Sequence, residues 1–209
     1  MAHDRGTRLL RVDDLGGSLA AAFGMLGMEA PDAEGLAGLP VDSELRGHPD
    51  HGVAALGLLA DLYRRGVNPR PQVRVLREGG GALLLDGDRG CGPHAPVQAM
   101  RSCIEHARER NGMAVAAIRD WQVVVLGPYV RLAAEAGLIG YACTNFIPLV
   151  APPGGRTPVF GTNPMAHAIP AGRHPPVVLD MATTVSPLQK VRVAAQRGEA
   201  LPEGGHPRP

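Results

Sequence analysis

The chain has 209 residues, of which 44% are hydrophobic and only 3% aromatic, so its core must be built from Ala, Val, Leu and Met. The formal net charge of +1 excludes bulk electrostatic attraction to nucleic acid or to an anionic membrane surface. Three widely spaced cysteines without a CxxC pair exclude a disulfide framework and a structural zinc site, and indicate reduced thiols in a cytoplasmic protein.

The N-terminal third of the chain is predicted to be helical. Its first residues, MAHDRGTRLLRVDD, lack the apolar core of a signal peptide, and no run in the chain reaches the ~18 apolar residues of a membrane span. Apolar residues then recur at helical spacing, and Pro31-Asp32 is typical of a helix start. The predicted helices span residues 11–28, 31–45 and 52–65. Residues 1–70 are therefore predicted to form a helical N-terminal part.

The following part of the chain alternates short apolar runs with turns. In chain order, strands are predicted at 73–76, 82–85, 113–118, 138–143, 158–160, 165–169 and 177–179, and helices at 96–110, 127–136 and 190–197. The runs at 138–143 and 177–179 are continuously apolar, so both are expected to be buried strands. Residues 71–200 are predicted to form a sheet-containing domain, and 201–209 a polar tail.

Small polar residues stand directly before or after several of these apolar runs. Thr144-Asn145 comes after one strand, Thr162-Asn163 precedes another, and Asp180 with Thr183-Thr184 ends the last. Polar side chains at strand ends commonly line ligand sites in proteins that combine helices and sheets. The same residue types also stabilise turns, and the residues alone leave that alternative open.

His51 is the histidine with the most distinctive setting, because Asp50-His51-Gly52 stands directly before an apolar helix. Histidine can donate or accept a proton at neutral pH, and a neighbouring carboxylate raises its pKa where the two side chains meet. Whether Asp50 and His51 meet is left open by the sequence.

Several ordered motifs resemble the type-2 malate/L-lactate dehydrogenase family. They are ELRGHPDHGV at 44–53, VNPRP at 67–71, LLLDGDRGCG at 83–92, TNFIPLVAPPGG at 144–155, GTNP at 161–164, LDMAT at 179–183 and RGEALPEG at 197–204. The resemblance extends from about Val12 to Glu203. It implies an α+β fold with a helical N-terminal layer on a mixed or antiparallel sheet with flanking helices. That fold is not a Rossmann fold, and the chain has no GxGxxG followed by a helix.

The resemblance also implies a nicotinamide cofactor, NADH or NADPH. The family stretch that lines the cofactor is matched by Val178, Leu179, Asp180, Met181, Ala182, Thr183 and Thr184. Asp180, Thr183 and Thr184 are then expected to bond ribose or amide groups. The structural alternative is that Asp180 and Thr183 cap a turn after the strand. Family members are dimers, so a homodimer is expected. Family chains continue well past Pro209, which makes this chain short for the family.

The chain departs from the family at catalytic positions. His51 matches a histidine that gives a proton to the substrate carbonyl, but Asp50 replaces a preceding serine and Ala55 replaces an arginine that would hold a substrate carboxylate. A second histidine, in an RNSNHFG-like motif, is also missing: the segment here reads RDWQVVV at 119–125, with Gln122 or Val123 at the histidine position.

Two functional hypotheses follow. The first is an NAD(P)-dependent oxidoreductase that reduces a C=O or C=N bond of a small substrate, with His51, beside Asp50, as the acid. The second is a relative that has lost hydride transfer and serves as a non-redox catalyst or binding protein around His51, Asp50 and Trp121. The predicted substrate pocket comprises Trp121, Gln122, Thr144, Asn145, Thr162 and Asn163, and no metal site is expected.

Overall fold

The computed structural model describes residues 9–109, 112–185, 191, 194 and 198–200, with the side chain of Asp50 outside that description. The chain divides into two compact units, Met1–Arg70 and Pro71–Pro209. Most of the predicted helix at 190–197 and all of the predicted tail at 201–209 lie outside the described residues.

The N-terminal unit consists of helices. Helix α1 spans Val12–Met25, α2 spans Ala30–Leu45 and α3 spans Leu56–Arg64. Helices α1 and α2 pack against each other through apolar side chains, among which Leu19, Phe23, Leu36, Ala37 and Leu39 are buried. The three predicted helices are confirmed, but α3 begins later than expected. Two 3-10 turns, Pro49–His51 and Val53–Ala55, occupy the approach to α3.

The first sheet of the C-terminal unit combines antiparallel and parallel pairing. Strands β1 (Arg74–Gly79), β2 (Ala82–Asp86) and β3 (Val115–Arg119) lie in the order β1-β2-β3, with β1 antiparallel and β3 parallel to β2. The parallel pair is joined through helix α4 (His94–Glu109), which packs on β2 and β3. The cluster between them has Leu83, Leu85 and Ala99 at its centre. Consequently β2 and β3 end at the same edge of this sheet.

The second sheet is antiparallel and is covered by one helix. Strands β4 (Gly140–Cys143), β5 (Met165–Ala171) and β6 (His174–Met181) lie in the order β4-β5-β6. Helix α5 (Gly127–Glu135) packs on all three strands. The buried cluster comprises Leu126, Tyr129, Val130, Ala134, Ala166 and Ala168. This cluster fixes the relative positions of the segment before α5 and the end of β6.

Two predictions about strands are wrong. The runs at 138–143 and 177–179 are not buried on both sides, since Tyr141 is 54% and Val177 64% exposed. The reason is that α5 covers one face of the sheet, and in the described part of the chain the apolar side chains of the other face stay exposed. The predicted strand at 158–160 is only an isolated bridge between Val150 and Phe160, in which Leu149 N and Val150 N both donate to Phe160 O at 2.8 Å.

The fold class is α+β, as predicted: helices lie in one unit, and helices flank a mixed and an antiparallel sheet in the other. Among the helices of the described ranges, none has the length and apolarity needed to cross a bilayer.

Candidate functional site

The polar residues around the end of β6 are brought together by backbone hydrogen bonds. Both the backbone N–H and the Oγ1 hydroxyl of Thr183 donate to the carbonyl oxygen of Thr162, each at 3.0 Å. Thr144 N donates to Pro164 O at 3.1 Å. The predicted residues at the ends of β4 and β6 and before β5 therefore belong to one loop cluster, which we call the polar hub: Thr144, Asn145, Thr162, Asn163 and Thr183.

Asn163 holds the polar hub in shape. Its φ of 37° is in the left-handed region, and its Oδ1 accepts a hydrogen bond from Phe146 N at 3.1 Å. Gly161 is needed beside it, because a Cβ there would lie 2.6 Å from that Oδ1 and 2.7 Å from the carbonyl carbon of Phe146. The amide oxygen of Asn163 is thus used within the fold. The hydroxyl of Thr144 is also used within the fold, since it donates to Asn145 O at 3.1 Å.

Asp180 stabilises a helix rather than a turn. Its Oδ2 accepts hydrogen bonds from Leu126 N at 3.1 Å and from Gly127 N at 2.6 Å, where α5 begins. A carboxylate at this point satisfies N–H groups that have no partner inside the helix and interacts favourably with the helix dipole. The sequence could not show this partner, which lies more than fifty residues away. A cofactor contact through Asp180 remains a prediction.

The segment that replaces the family histidine motif is apolar and strained. Val124 has φ 68°, and Val125 N donates to Val123 O at 2.9 Å. This is the γ-turn in which the central residue has a positive φ, the rarer of the two forms. A β-branched residue at positive φ costs on the order of 1–3 kcal/mol and persists only where its surroundings fix it. Here the hydroxyl of buried Tyr129 donates to Val123 O at 2.7 Å.

Two further predicted pocket residues, Trp121 and Gln122, lie in the segment after β3, next to the loop that follows β2. Gly92 N donates to Gln122 O at 2.9 Å, and Trp121 N donates to Gly90 O at 3.3 Å. The two loops thus continue the parallel pairing of β2 and β3 beyond the ends of those strands. Trp121 is 39% exposed, and the Arg89 guanidinium carbon lies 4.8 Å from its ring centroid.

Asp120 is a titratable residue that the sequence analysis did not single out. Burial, with a smaller contribution from the charges of Asp86 and Asp88, raises the pKa of its carboxyl to about 7, against the opposing effect of hydrogen bonds from Trp121 N and Gly90 N. The carboxyl group lies over Gly87, where a Cβ would be 2.5 Å from its Cγ. An aspartate two residues after the predicted strand at 113–118 was the available signal. Its environment depends on long-range packing.

We expect Asp120→Asn to stabilise the protein in a pH-dependent way. The folded state raises the pKa of Asp120 from 3.8 to about 7, so wild-type stability falls as pH rises through that window and stays lower above it. Asparagine does not ionise, so the variant does not lose this part of its free energy of unfolding as pH rises. Because the group is only partly buried, we discount the full shift and expect a gain of about 1–2 kcal/mol near pH 8. Urea unfolding near pH 5 and pH 8 measures it, and equal gains at both pH values would contradict the assignment.

His51 belongs to the N-terminal unit. It ends the turn Pro49–His51, is half-buried, and its backbone N–H donates to His48 O at 3.0 Å. The following backbone is fixed by Glu44, whose Oε1 accepts a hydrogen bond from Val53 N at 2.8 Å. The Glu44 carboxyl lies close over Gly52, where a Cβ would be 2.6 Å from Glu44 Cδ and would displace that side chain. The side chain of Asp50 lies outside the described residues, so its pairing with His51 remains a prediction.

Other parts of the N-terminal unit provide little chemistry. Ala55, at the position of the family arginine, is buried. A shallow groove of about 300 Å³ between α1 and α2 has an apolar lining apart from Glu34. No group of three or more His, Cys, Asp or Glu side chains within the described ranges could hold a metal ion.

Comparison with known proteins gives consistent matches over nearly the whole chain. Residues 10–206 match the model of a family described as malate/L-lactate dehydrogenase. A malate dehydrogenase of Pyrococcus abyssi is 39% identical over 194 residues, which is 92% of this chain and 53% of that protein. Among solved structures, a malate dehydrogenase of Pyrococcus horikoshii superposes with a TM-score of 0.84 at 36% identity, covering 90% of this chain and 54% of that one.

A solved relative with a different reaction in its name is also similar. The delta1-piperideine-2-carboxylate reductase of Pseudomonas syringae has a TM-score of 0.85 at 30% identity, covering 94% of this chain and 59% of that one. The chain spans about half the length of the curated relatives that it matches.

Proposed function

Because this chain belongs to the malate/L-lactate dehydrogenase family, we propose that it acts as an NAD(P)-dependent oxidoreductase on a C=O or C=N bond of a small molecule. The observation that carries the proposal is the match over residues 10–206, within which the polar hub and the GTNP and LDMAT motifs are assembled in one place. The relatives named above act on a hydroxy acid or, by the name of the piperideine-carboxylate reductase, on a cyclic C=N compound.

The residues present fit a nicotinamide cofactor in their chemistry. The stretch after β6 and the polar hub supply hydroxyl, amide and backbone groups, which suit the ribose and carboxamide of such a cofactor. We propose Thr144, Asn145, Ala182 and Thr184 as groups that hold it, with Asp180 and Thr183 keeping the surrounding loops in place. A bound nicotinamide would supply the hydride, and the choice between NADH and NADPH is part of what must be tested.

In this proposal His51 donates the proton that the reduced bond needs. It is half-buried on a short turn, and the Glu44 carboxylate holds the backbone that follows at Val53, so its motion is limited without removing it from solvent. Histidine is the side chain best suited to exchange a proton near neutral pH, which is the reason for assigning this role to His51.

The direct test is turnover. Purified protein is mixed with NADH or NADPH and with a panel of 2-oxo acids and cyclic imines, and oxidation of the cofactor is followed by its absorbance. We expect slow but measurable turnover that His51→Ala lowers by about 10²–10⁴-fold. His48→Ala is the matched control, since His48 lies on the same turn. Equal rates for both variants and wild type would overturn the role of His51.

One observation favours the second hypothesis, a relative without hydride transfer. The segment Val123–Val125 is apolar and held in a γ-turn, so it offers no side chain that transfers a proton where the family has a histidine. Cofactor binding without turnover on any substrate of the panel would support this alternative.

We also propose that two copies of the chain associate. The face of the β4-β5-β6 sheet away from α5 exposes Tyr141, Ile169, Val177, Leu179 and Met181. Exposed apolar patches of this kind mark contact surfaces in many proteins. Sedimentation velocity would measure the mass in solution, and a monomer at all concentrations would contradict a homodimer.

A further inference from the structure

The loops that extend β2 and β3 form a corner with an arginine, an indole ring and a carboxyl group. Asp88 and Arg89 both have positive φ, 54° and 59°, although neither is glycine. Consecutive left-handed residues are strained and are found where surrounding bonds impose them. Strain of this kind is concentrated at ligand sites.

The bonds that impose this conformation are visible. Asp88 N donates to Asp86 Oδ1 at 3.0 Å, and Asp88 Oδ2 accepts a hydrogen bond from Gln72 N at 3.1 Å. Gly87 N donates to Arg119 O at 2.8 Å, and Gly90 N donates to Gly87 O at 3.0 Å. The loop is therefore built to present Arg89 in one place.

Arg89 is presented over Trp121. Its guanidinium carbon is 4.8 Å from the ring centroid, which is within the range of a cation–π contact. The residue is exposed, and none of the ion pairs given for the described residues involves it. A guanidinium stacked on an aromatic face keeps its N–H edge available, and that edge matches the two oxygens of a carboxylate.

The surrounding charges permit an anion at this corner. Asp86 is paired with Arg119 at 2.8 Å and with Arg74 at 3.3 Å. Its hydrogen bond from Arg119 lowers the pKa of Asp86, so its charge is retained but compensated. Asp120 is half-buried and directly precedes Trp121. Burial, followed by the charges of Asp86 and Asp88, raises the pKa of its carboxyl to about 7, so this group changes charge near neutral pH. Tyr129, beneath the same segment, has a raised pKa owing to burial and stays neutral.

We propose that this corner is a carboxylate-binding site in which Arg89, held on Trp121, receives a small organic carboxylate beside the half-buried side chain of Asp120. The proposal rests on the proposed function in one respect: the carboxylate would belong to the substrate of that reaction.

The experiment uses pyruvate as the probe and needs no nicotinamide. Trp121 is the only tryptophan in the chain, so its emission reports on Arg89 and on any ligand that contacts it. Saturation-transfer NMR on pyruvate gives a second measurement that does not depend on the indole. We expect saturable binding of pyruvate and at least about tenfold weaker binding of pyruvamide, its uncharged analogue.

Separate substitutions of Arg89 and Asp120 distinguish what each residue contributes to pyruvate binding. Arg89→Ala should weaken pyruvate binding at least about tenfold and remove the preference over pyruvamide, whereas the exposed Arg101→Ala should leave both unchanged. Arg89→Met keeps an apolar stem on the indole and replaces the alanine variant if that one does not fold. Because ionised Asp120 repels the anion, wild-type affinity should fall about tenfold from pH 6 to pH 8, and Asp120→Asn should abolish this fall.

The outcomes are distinct from those of the turnover assay. Unchanged pyruvate binding in Arg89→Ala, or the same pH dependence in Asp120→Asn as in wild type, would overturn the site. Pyruvate binding with the expected variant and pH dependence would uphold the carboxylate site. If the same protein oxidised neither NADH nor NADPH, the oxidoreductase proposal would fail while the carboxylate site stood.

Discussion

Replacement of Gly140 by alanine is expected to be the most damaging small substitution in the C-terminal unit. Gly140 is buried at the start of β4, where the strand meets α5. A Cβ at this position would lie 3.0 Å from the Cα and carbonyl carbon of Val130 and closer still to its carbonyl oxygen. Because these are backbone atoms of a packed helix, the clash cannot be relieved by a side-chain rotation. We expect the free energy of unfolding to fall by about 3 kcal/mol.

Urea unfolding followed by circular dichroism measures this change. The control is Gly17→Ala, because Gly17 is exposed in the interior of α1 and a Cβ there has no neighbour within 4 Å. That substitution should stabilise the protein by about 0.5–1 kcal/mol, since alanine loses less backbone freedom on folding than glycine does. A Gly140→Ala variant as stable as wild type would mean that α5 does not pack on β4 as described.

Replacement of Asp180 by alanine has the second largest expected effect. It removes the acceptor of the hydrogen bonds from Leu126 N and Gly127 N and leaves the first turn of α5 without a partner for those groups. Loss of a cap of this kind typically costs about 1–2 kcal/mol, and the favourable interaction with the helix dipole is lost with it. We therefore expect a destabilisation of about 2 kcal/mol.

Asp180→Asn is the matched comparison for the helix cap. It keeps an oxygen acceptor but no charge, so its cost in free energy of unfolding should be about half that of the alanine variant. Thr183→Val, which removes only the hydroxyl bond to Thr162 O, should cost less than either. If the alanine and asparagine variants of Asp180 are both as stable as wild type, the carboxylate does not cap α5.

Local patterns in the sequence were sufficient for most of the fold. Helical spacing of apolar residues predicted α1 and α2, and the short runs at 73–76 and 82–85 predicted β1 and β2, all of which the structure confirms. The motifs at 144–155 and 161–164 also predicted that polar residues would gather at strand ends, as they do in the polar hub. These features succeed because they depend on residues close to one another in the chain.

The features that could not be predicted depend on partners far away in sequence. Asp180 was expected to contact the cofactor or to cap a turn, and its bond to Gly127 N was not predicted because Gly127 is distant along the chain. The runs at 138–143 and 177–179 looked buried because composition does not show that α5 covers a single face. Asp120 was overlooked because its raised pKa arises from burial together with Asp86 and Asp88, which belong to another strand and its loop.

The central claim is that this chain retains a site for a nicotinamide cofactor, and a binding titration tests it most directly. The purified chain is titrated with NADH and with NADPH, and the emission of Trp121 and of the nicotinamide is followed. The account predicts saturable binding of at least one of the two in the micromolar range. No binding of either cofactor up to millimolar concentration would contradict it, and the chain would then be a family member that does not use nicotinamide.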